Sequence, residues 1–93
     1  MSKLDYKLTE KSVGTLAAGE AVNVDARGFL NLSVITATGC TATVSRVDSL
    51  AASAHTTGNN QFTVNEETLS TTEVDWAFYR ISAAAAGLRY ALV

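Results

Sequence analysis

The chain has 93 residues, of which 47% are apolar and 17% charged, and its formal net charge is -2. This length suits one domain and excludes a second, while a soluble domain usually carries roughly 25% charged residues. The seven basic residues are scattered, which argues against a nucleic-acid partner because phosphate backbones are bound by clustered Lys and Arg. A weakly charged surface repels its neighbours little, so the composition favours a protein that packs against other protein.

The first residues, MSKLDYKLTEK, contain no apolar signal-peptide core, and no stretch approaches the ~18 apolar residues of a membrane span. We therefore expect no membrane partner, and synthesis in the cytoplasm or export by a route other than a signal peptide. Cys40 is the one cysteine, so no disulfide can form within the chain. The fold must be held by packing.

Residues 1–12 alternate charged and apolar side chains, which is the period of a half-exposed edge strand or an extended N-terminal arm. The apolar set is Leu4, Tyr6 and Leu8, and the charged set is Lys3, Asp5 and Lys7. Residues 13–93 are then the folded domain. Its first predicted strand lies in GEAVNVDARG, where Val22 and Val24 share a face.

The segments FLNLSVIT and CTATVSRV are predicted to form a β-hairpin with its turn around Gly39. Their β-branched residues are dense, as a pleated ladder prefers. One face of the first strand carries Leu30, Leu32 and Val34, and one side of the return strand carries Thr41, Thr43, Ser45 and Val47. Residues 48–61 are small and polar and predict a loop with room for one helical turn, and FTV at 62–64 predicts another short strand.

The segment from Ser70 to Gly87 supports two interpretations. A helix is indicated by the capping-box spacing of Ser70 and Glu73, by a helical apolar stripe and by Gly87 as a C-cap. A strand is indicated by crowded aromatic and β-branched residues, with one face formed by Val74, Trp76 and Phe78 and the other by Ala77, Tyr79 and Ile81.

A comparison of the chain with itself favours the strand. FLNLSVITATGCTATVSRV and DWAFYRISAAAAGLRYALV share one layout, an apolar strand, a small-residue turn containing one glycine and a return strand. We therefore predict a second β-hairpin and an all-β single domain, an antiparallel β-sandwich or jelly-roll-like barrel. Because both faces of this last hairpin carry apolar atoms, we expect a neighbouring subunit to cover one of them.

Candidate catalytic and metal-binding residues are few. Ser53, His55 and Asp48 could be combined into a triad, but no nucleophile-elbow sequence surrounds the serines, and an exposed loop histidine is the commoner case. Glu66 and Glu67 predict a solvated acidic turn rather than a metal site, since adjacent side chains point apart. Cys40 has no basic neighbour and predicts a buried or half-buried thiol. We therefore expect no enzymatic activity, cofactor or metal.

The aromatic residues of the last segment also allow two interpretations. Trp76, Phe78, Tyr79 and Tyr90 could form a platform on which a sugar stacks, but the core is the commoner place for such residues in an apolar hairpin. Arg80 would need a partner if the face around it is buried.

The segment VDWAFYRISAAAAGLRYALV resembles the last hairpin of small β-sandwich proteins encoded in the structural modules of tailed bacteriophages. AGEAVNVDARGFLNLSVITATGCTATVSRVD is similar to their middle region. Together the similar parts cover residues 18–48 and 74–93. The resemblance implies a virion protein on the capsid surface, made in the host cytoplasm.

More specifically, the resemblance implies a head decoration (cement) protein that braces the major capsid protein and is itself a homo-oligomer, a trimer or dimer. On this hypothesis the contact residues are Leu4, Tyr6 and Leu8 in the arm and Trp76, Tyr79 and Tyr90 in the last hairpin. The alternative is a carbohydrate-binding or receptor-contacting virion module. It predicts an exposed Trp76 or tyrosine beside Asn59, Asn60 or Gln61.

Overall fold

The computed structural model describes residues 13–93, which fold into eight β-strands and one 3-10 helix, Gly58–Asn60. The strands are β1 (Val13–Leu16), β2 (Ala21–Asp25), β3 (Asn31–Thr36), β4 (Thr41–Val47), β5 (Gln61–Val64), β6 (Leu69–Glu73), β7 (Phe78–Ala84) and β8 (Leu88–Leu92). The predicted all-β class is confirmed, as are the strands at GEAVNVDARG and FTV and the helical turn within residues 48–61.

The strands form two antiparallel four-stranded sheets. Sheet A has the order β1-β8-β3-β6, and sheet B has the order β2-β7-β4-β5. The pairs β1·β8, β2·β7, β3·β6 and β4·β5 are nested, so the chain is one long hairpin whose tip lies between β4 and β5. This hairpin is rolled so that β3 lies beside β8 and β4 beside β7. The single domain is therefore a β-sandwich with the topology of a jelly roll.

Both predicted β-hairpins are wrong in their pairing, although their strands exist. β3 lies in sheet A and β4 in sheet B, and β7 and β8 are likewise divided between the sheets. The two similar segments pair with each other instead, with Val34 opposite Tyr90 and Val44 opposite Ile81. Each of the two similar segments therefore contributes one strand to each sheet, and the two segments pair antiparallel in both sheets.

The small-residue runs that were predicted to be hairpin turns cross from one sheet to the other. Ala37 N in the first crossing donates to Gly87 O in the second at 3.0 Å, so the two crossings are bonded together. Alternation of apolar residues tells which face of a strand is buried but not which strand lies beside it. The crossings comprise residues 37–40 and 85–87, and three or four residues can span the ~10 Å between sheets as well as they can make a tight turn.

The helical alternative for the segment from Ser70 to Gly87 is wrong, because these residues contain most of β6, a connection at 74–77 and all of β7. The sequence also predicted one strand where there are two. β6 was missed, and Trp76 lies in the connection rather than in a strand. The inward side chains of both sheets form the core, and its largest fully buried members are Tyr79, Leu32, Ile81, Val34 and Val44.

At two positions in the second crossing, exchange between alanine and glycine should change the free energy of unfolding in opposite directions. Ala85 has a φ of 70°, where a side chain is strained, whereas a Cβ on Gly87 would lie 2.8 Å from the backbone oxygen of Leu16. We expect Ala85→Gly to raise the free energy of unfolding by about 0.5 kcal/mol and Gly87→Ala to lower it by about 1–3 kcal/mol. Urea denaturation measures both, and equal effects of one sign would contradict this geometry.

Candidate functional site

The outer face of sheet A is rich in exposed apolar side chains. Val13 is 62% exposed, Ile35 42% and Leu69 63%, and they lie on three different strands of the sheet. Strand register places all outward residues of this sheet on one surface, which we call the A face. Its residues are Val13, Thr15, Asn31, Ser33, Ile35, Leu69, Thr71, Glu73, Arg89 and Ala91.

Two further apolar residues lie at one end of sheet A. Leu30 is 76% exposed and Val93 is 46% exposed, and Leu30 N donates to Val93 O at 2.7 Å. A groove of about 510 Å³ also runs along the A face between Val13 and Ile35, with Arg89 at its side. A cluster of exposed aliphatic residues beside one groove is typical of a surface that another molecule covers.

The outer face of sheet B is covered by the chain itself. Residues 48–57 fold over it, and Asn23 Nδ2 on β2 donates to the carbonyl oxygens of Leu50 at 2.8 Å and Ala52 at 2.7 Å. Arg80 Nη1 on β7 donates to Asn23 Oδ1 at 3.0 Å and to the oxygen of Ala52 at 3.1 Å. The partner that the sequence required for Arg80 is therefore in its own chain. A neighbouring subunit was expected to cover one face of the last predicted hairpin. For β7 this loop of the same chain supplies the cover.

His55 fastens the same loop to sheet B. Its Nδ1 lies 2.6 Å from Ser45 Oγ and its Nε2 lies 2.8 Å from Ser82 Oγ. The histidine is half-buried, so the prediction of an exposed loop histidine is wrong. Both ring nitrogens bond to serines other than Ser53, and the neighbour that orients Nδ1 is a hydroxyl rather than a carboxylate. The triad considered from the sequence is not assembled.

The environment of His55 makes stability depend on pH. Burial, together with the nearby charge of Arg80, lowers the pKa of His55 from its usual 6.5. The folded state therefore resists a proton that the unfolded chain accepts, and stability is lost as pH falls below about 6.5. We expect the urea midpoint of the natural chain to fall between pH 7.5 and 5.5 by more than that of His55→Gln. Equal changes in the two proteins would show that His55 contributes nothing to this dependence.

The end of the sandwich near the connection 74–77 carries a second polar cluster. Arg46 Nε and Nη2 donate to Asp75 Oδ1 and Oδ2 at 2.8 and 2.6 Å, and Nη1 donates to Asn59 O at 3.2 Å. Tyr79 Oη donates to Asp75 Oδ1 at 2.8 Å. The hydrogen bonds from Arg46 and Tyr79 lower the pKa of Asp75 to about 2. This carboxylate therefore stays charged and holds β4 to the connection.

The structure separates the contact residues that were predicted in the last segment. Tyr79 is 1% exposed and belongs to the core of its own chain, so it is not available as an interface residue. Tyr90 is half-buried and faces inward, where its ring lies over Gly14. Trp76 is 47% exposed, and its Nε1 donates to Val47 O at 2.8 Å. Leu4, Tyr6 and Leu8 lie outside the described residues.

The residues considered as metal ligands have structural contacts. Glu66 Oε2 accepts from Gly39 N at 2.5 Å, and Glu67 Oε1 accepts from Thr38 Oγ1 at 2.7 Å, so both carboxylates hold the first crossing. Cys40 is buried, as predicted for a thiol with no basic neighbour. Within residues 13–93 no group of three or more His, Cys, Asp or Glu side chains is arranged to hold a metal ion.

The A face was not predicted from the sequence. Val34 and Ile35 are adjacent apolar residues in one strand and must point to opposite faces, which was an available signal that β3 is apolar on both sides. The exposure of Leu69 could not be predicted, because the strand that contains it was not predicted.

No protein-family model, no curated protein and no solved structure matches this chain. The fold and the surface chemistry are therefore what define its class, a small jelly-roll sandwich in which, among residues 13–93, the outer face of sheet B is covered and that of sheet A is not. No helix within residues 13–93 is long and apolar enough to cross a membrane.

Proposed function

We propose that this protein is a non-enzymatic assembly protein whose A face is buried against another protein. The observation that carries the proposal is the difference between the two outer faces of one sandwich. The outer face of sheet B is closed by residues 48–57 through the bonds of Asn23, Arg80 and His55. The A face has no such cover within residues 13–93 and exposes Val13, Ile35 and Leu69.

Burial of these side chains would supply the binding free energy. Complete burial of one Val, Ile or Leu side chain contributes about 1.5–3 kcal/mol relative to leaving it exposed. Three such residues are partly exposed on the A face, with Leu30 and Val93 at its end. A protein that binds an assembled lattice and not its dissociated subunits shifts the equilibrium toward the lattice by mass action. An uncovered apolar face is therefore suited to stabilising an assembly.

We assign the assembly to a bacteriophage head, with this protein as a capsid decoration (cement) protein on the outer surface of the major capsid protein. The support is the resemblance of residues 18–48 and 74–93 to small virion proteins, together with the jelly-roll topology. Jelly rolls occur in viral capsid and lectin domains, which is an analogy between folds and not between functions. The arm residues Leu4, Tyr6 and Leu8 stay predicted contacts in this proposal.

The test is made on particles that carry the protein. The protein is stripped from the particles, and the temperature at which the shells rupture is measured before and after the purified chain is added back. We expect added protein to raise the rupture temperature until the sites are saturated. Rupture at the same temperature with and without the protein would rule out a bracing role.

A second candidate function, binding of a carbohydrate, is favoured by the position of Trp76. Its ring is 47% exposed, it follows Asp75, and Arg46 links Asp75 to the backbone of Asn59. An exposed tryptophan next to a charged residue offers both a stacking surface and a hydrogen-bonding partner for a sugar. The exposure of Trp76 is the observation that supports the alternative receptor-contacting module.

Tryptophan fluorescence separates the two candidates. Trp76 is the one tryptophan in the chain, so every change in the signal reports on this position. A saturable change with one member of a glycan panel, absent in Arg46→Gln, would support carbohydrate binding. A flat response across the panel would leave the assembly protein as the proposed function.

A further inference from the structure

The outer edge of β6 is a second surface without a partner in the described residues. Val74 N donates to Leu30 O at 2.8 Å, and Thr36 N donates to Thr68 O at 3.1 Å. In an antiparallel pair such residues alternate with others whose backbone groups point the opposite way. The N–H and C=O groups of Leu69, Thr71 and Glu73 therefore point away from sheet A and are open to another strand.

This edge carries little of the protection that natural sheets use. Edge strands are usually shielded by lysine, proline, a bulge or a covering loop, because an open row of backbone groups recruits other strands. β6 has the sequence LSTTE, the chain contains no proline, and all its lysines lie within residues 1–12. β6 is therefore suited to receiving a strand.

The segment Lys3–Leu8 has the pattern of a strand that would fit this edge. It alternates apolar residues with charged ones, and residues 1–12 carry three lysines against two acids. Residues 13–93 carry four arginines against seven acids, among which Glu66, Glu67 and Glu73 precede or end β6. A basic, apolar-alternating segment therefore complements an acidic edge strand, and backbone pairing would add affinity.

The direction of the chain favours the β6 edge of a second copy. β1 lies at the opposite edge of sheet A from β6, and Val13 pairs with Ala91 near the end of β8. A straight continuation before Val13 would leave the sheet beyond its end, and ten residues of extended chain reach about 33 Å.

From these observations we infer that residues Lys3–Leu8 of one copy add as an extra strand to the β6 edge of another copy, and that this exchange makes the protein an oligomer. The inference does not rest on the proposed function, because it concerns the isolated protein and uses the edge of sheet A rather than its face.

Thr71→Pro tests the inference at the edge. Proline removes an N–H that points away from sheet A, a position that tolerates proline, whereas Thr71→Val keeps the N–H and the branched shape. We expect light scattering after size exclusion to give a multiple of 9.8 kDa for the natural chain and for Thr71→Val. Thr71→Pro should give the single-chain mass. Circular dichroism checks that each variant is folded, and Thr71→Lys, which leaves the exposed apolar residues of the A face unchanged, replaces Thr71→Pro if the proline variant is not.

The segment itself is tested in the full chain by the combined substitutions Leu4→Ser, Tyr6→Ser and Leu8→Ser, which lie outside the described sandwich. We expect this variant to be monomeric and an excess of a peptide of residues 1–12 to dissociate the natural oligomer. A natural chain that is monomeric, or an oligomer that persists in both the folded edge variant and the segment variant, would overturn the inference. Particle binding by monomeric Thr71→Pro, in which Leu4, Tyr6 and Leu8 are unchanged, would leave the proposed function standing.

Discussion

Tyr79→Ala is expected to lower the free energy of unfolding by about 3–5 kcal/mol, which is enough to unfold much of a marginally stable small domain. Tyr79 is 1% exposed, and its ring is among the largest fully buried side chains of the sandwich. Its hydroxyl both donates to Asp75 Oδ1 and accepts from Asp75 N. Urea denaturation monitored by circular dichroism measures the loss.

Tyr79→Phe is the matched control, because it keeps the ring and removes only the hydroxyl. We expect it to cost about 1–2 kcal/mol, since the Asp75 N–H loses its acceptor. Trp76→Ala should cost less than Tyr79→Ala because the tryptophan is 47% exposed. A folded Tyr79→Ala variant with unchanged stability would contradict the placement of this residue in the core and would restore it as an interface residue.

Ile35→Lys is expected to weaken binding to the capsid shell by at least about tenfold, or about 1.4 kcal/mol, while leaving the sandwich folded. Ile35 lies on β3, an inner strand of sheet A, and is 42% exposed, so a lysine there can reach water in the free protein. In the proposed complex the same lysine would bring an unpaired charge into an apolar contact. Co-sedimentation with stripped particles over a range of protein concentrations measures the change.

Leu50→Lys is the matched control for this prediction. Leu50 is 49% exposed, close to the value for Ile35, but it lies in the loop that covers sheet B. We expect its binding to stay within about twofold of the natural chain. Equal loss of binding in both variants would point to a nonspecific effect of added charge and would contradict the assignment of the A face.

The strands could be predicted from the sequence more readily than their partners. Alternation located β2, β3, β4 and β8, because a strand with one buried face repeats every two residues. The same alternation fits a hairpin and a crossing between sheets equally well, and the pairing of Val34 with Tyr90 joins residues far apart in the chain. Nothing local in either segment carries that information.

The surfaces were harder to predict than the core. β6 has the sequence LSTTE, whose polar side chains gave no apolar alternation, so neither its bare edge nor Leu69 was foreseen. The loop at 48–57 was predicted as a loop, but its role as a cover depends on Asn23 and Arg80, which lie on two other strands. Which face of a sandwich is left open follows from such long-range bonds.

The central claim is that the A face is covered in the assembly, and the labelling of a single thiol tests it most directly. Cys40 is buried, so in Ile35→Cys the introduced thiol is the accessible one among residues 13–93 of the folded protein, and Leu50→Cys gives a matched control. A maleimide reagent is applied to each variant free in solution and bound to particles. We expect Ile35→Cys to react when free and to be protected on the particle, while Leu50→Cys reacts in both states. Reaction of Ile35→Cys at the same rate in both states would contradict the claim.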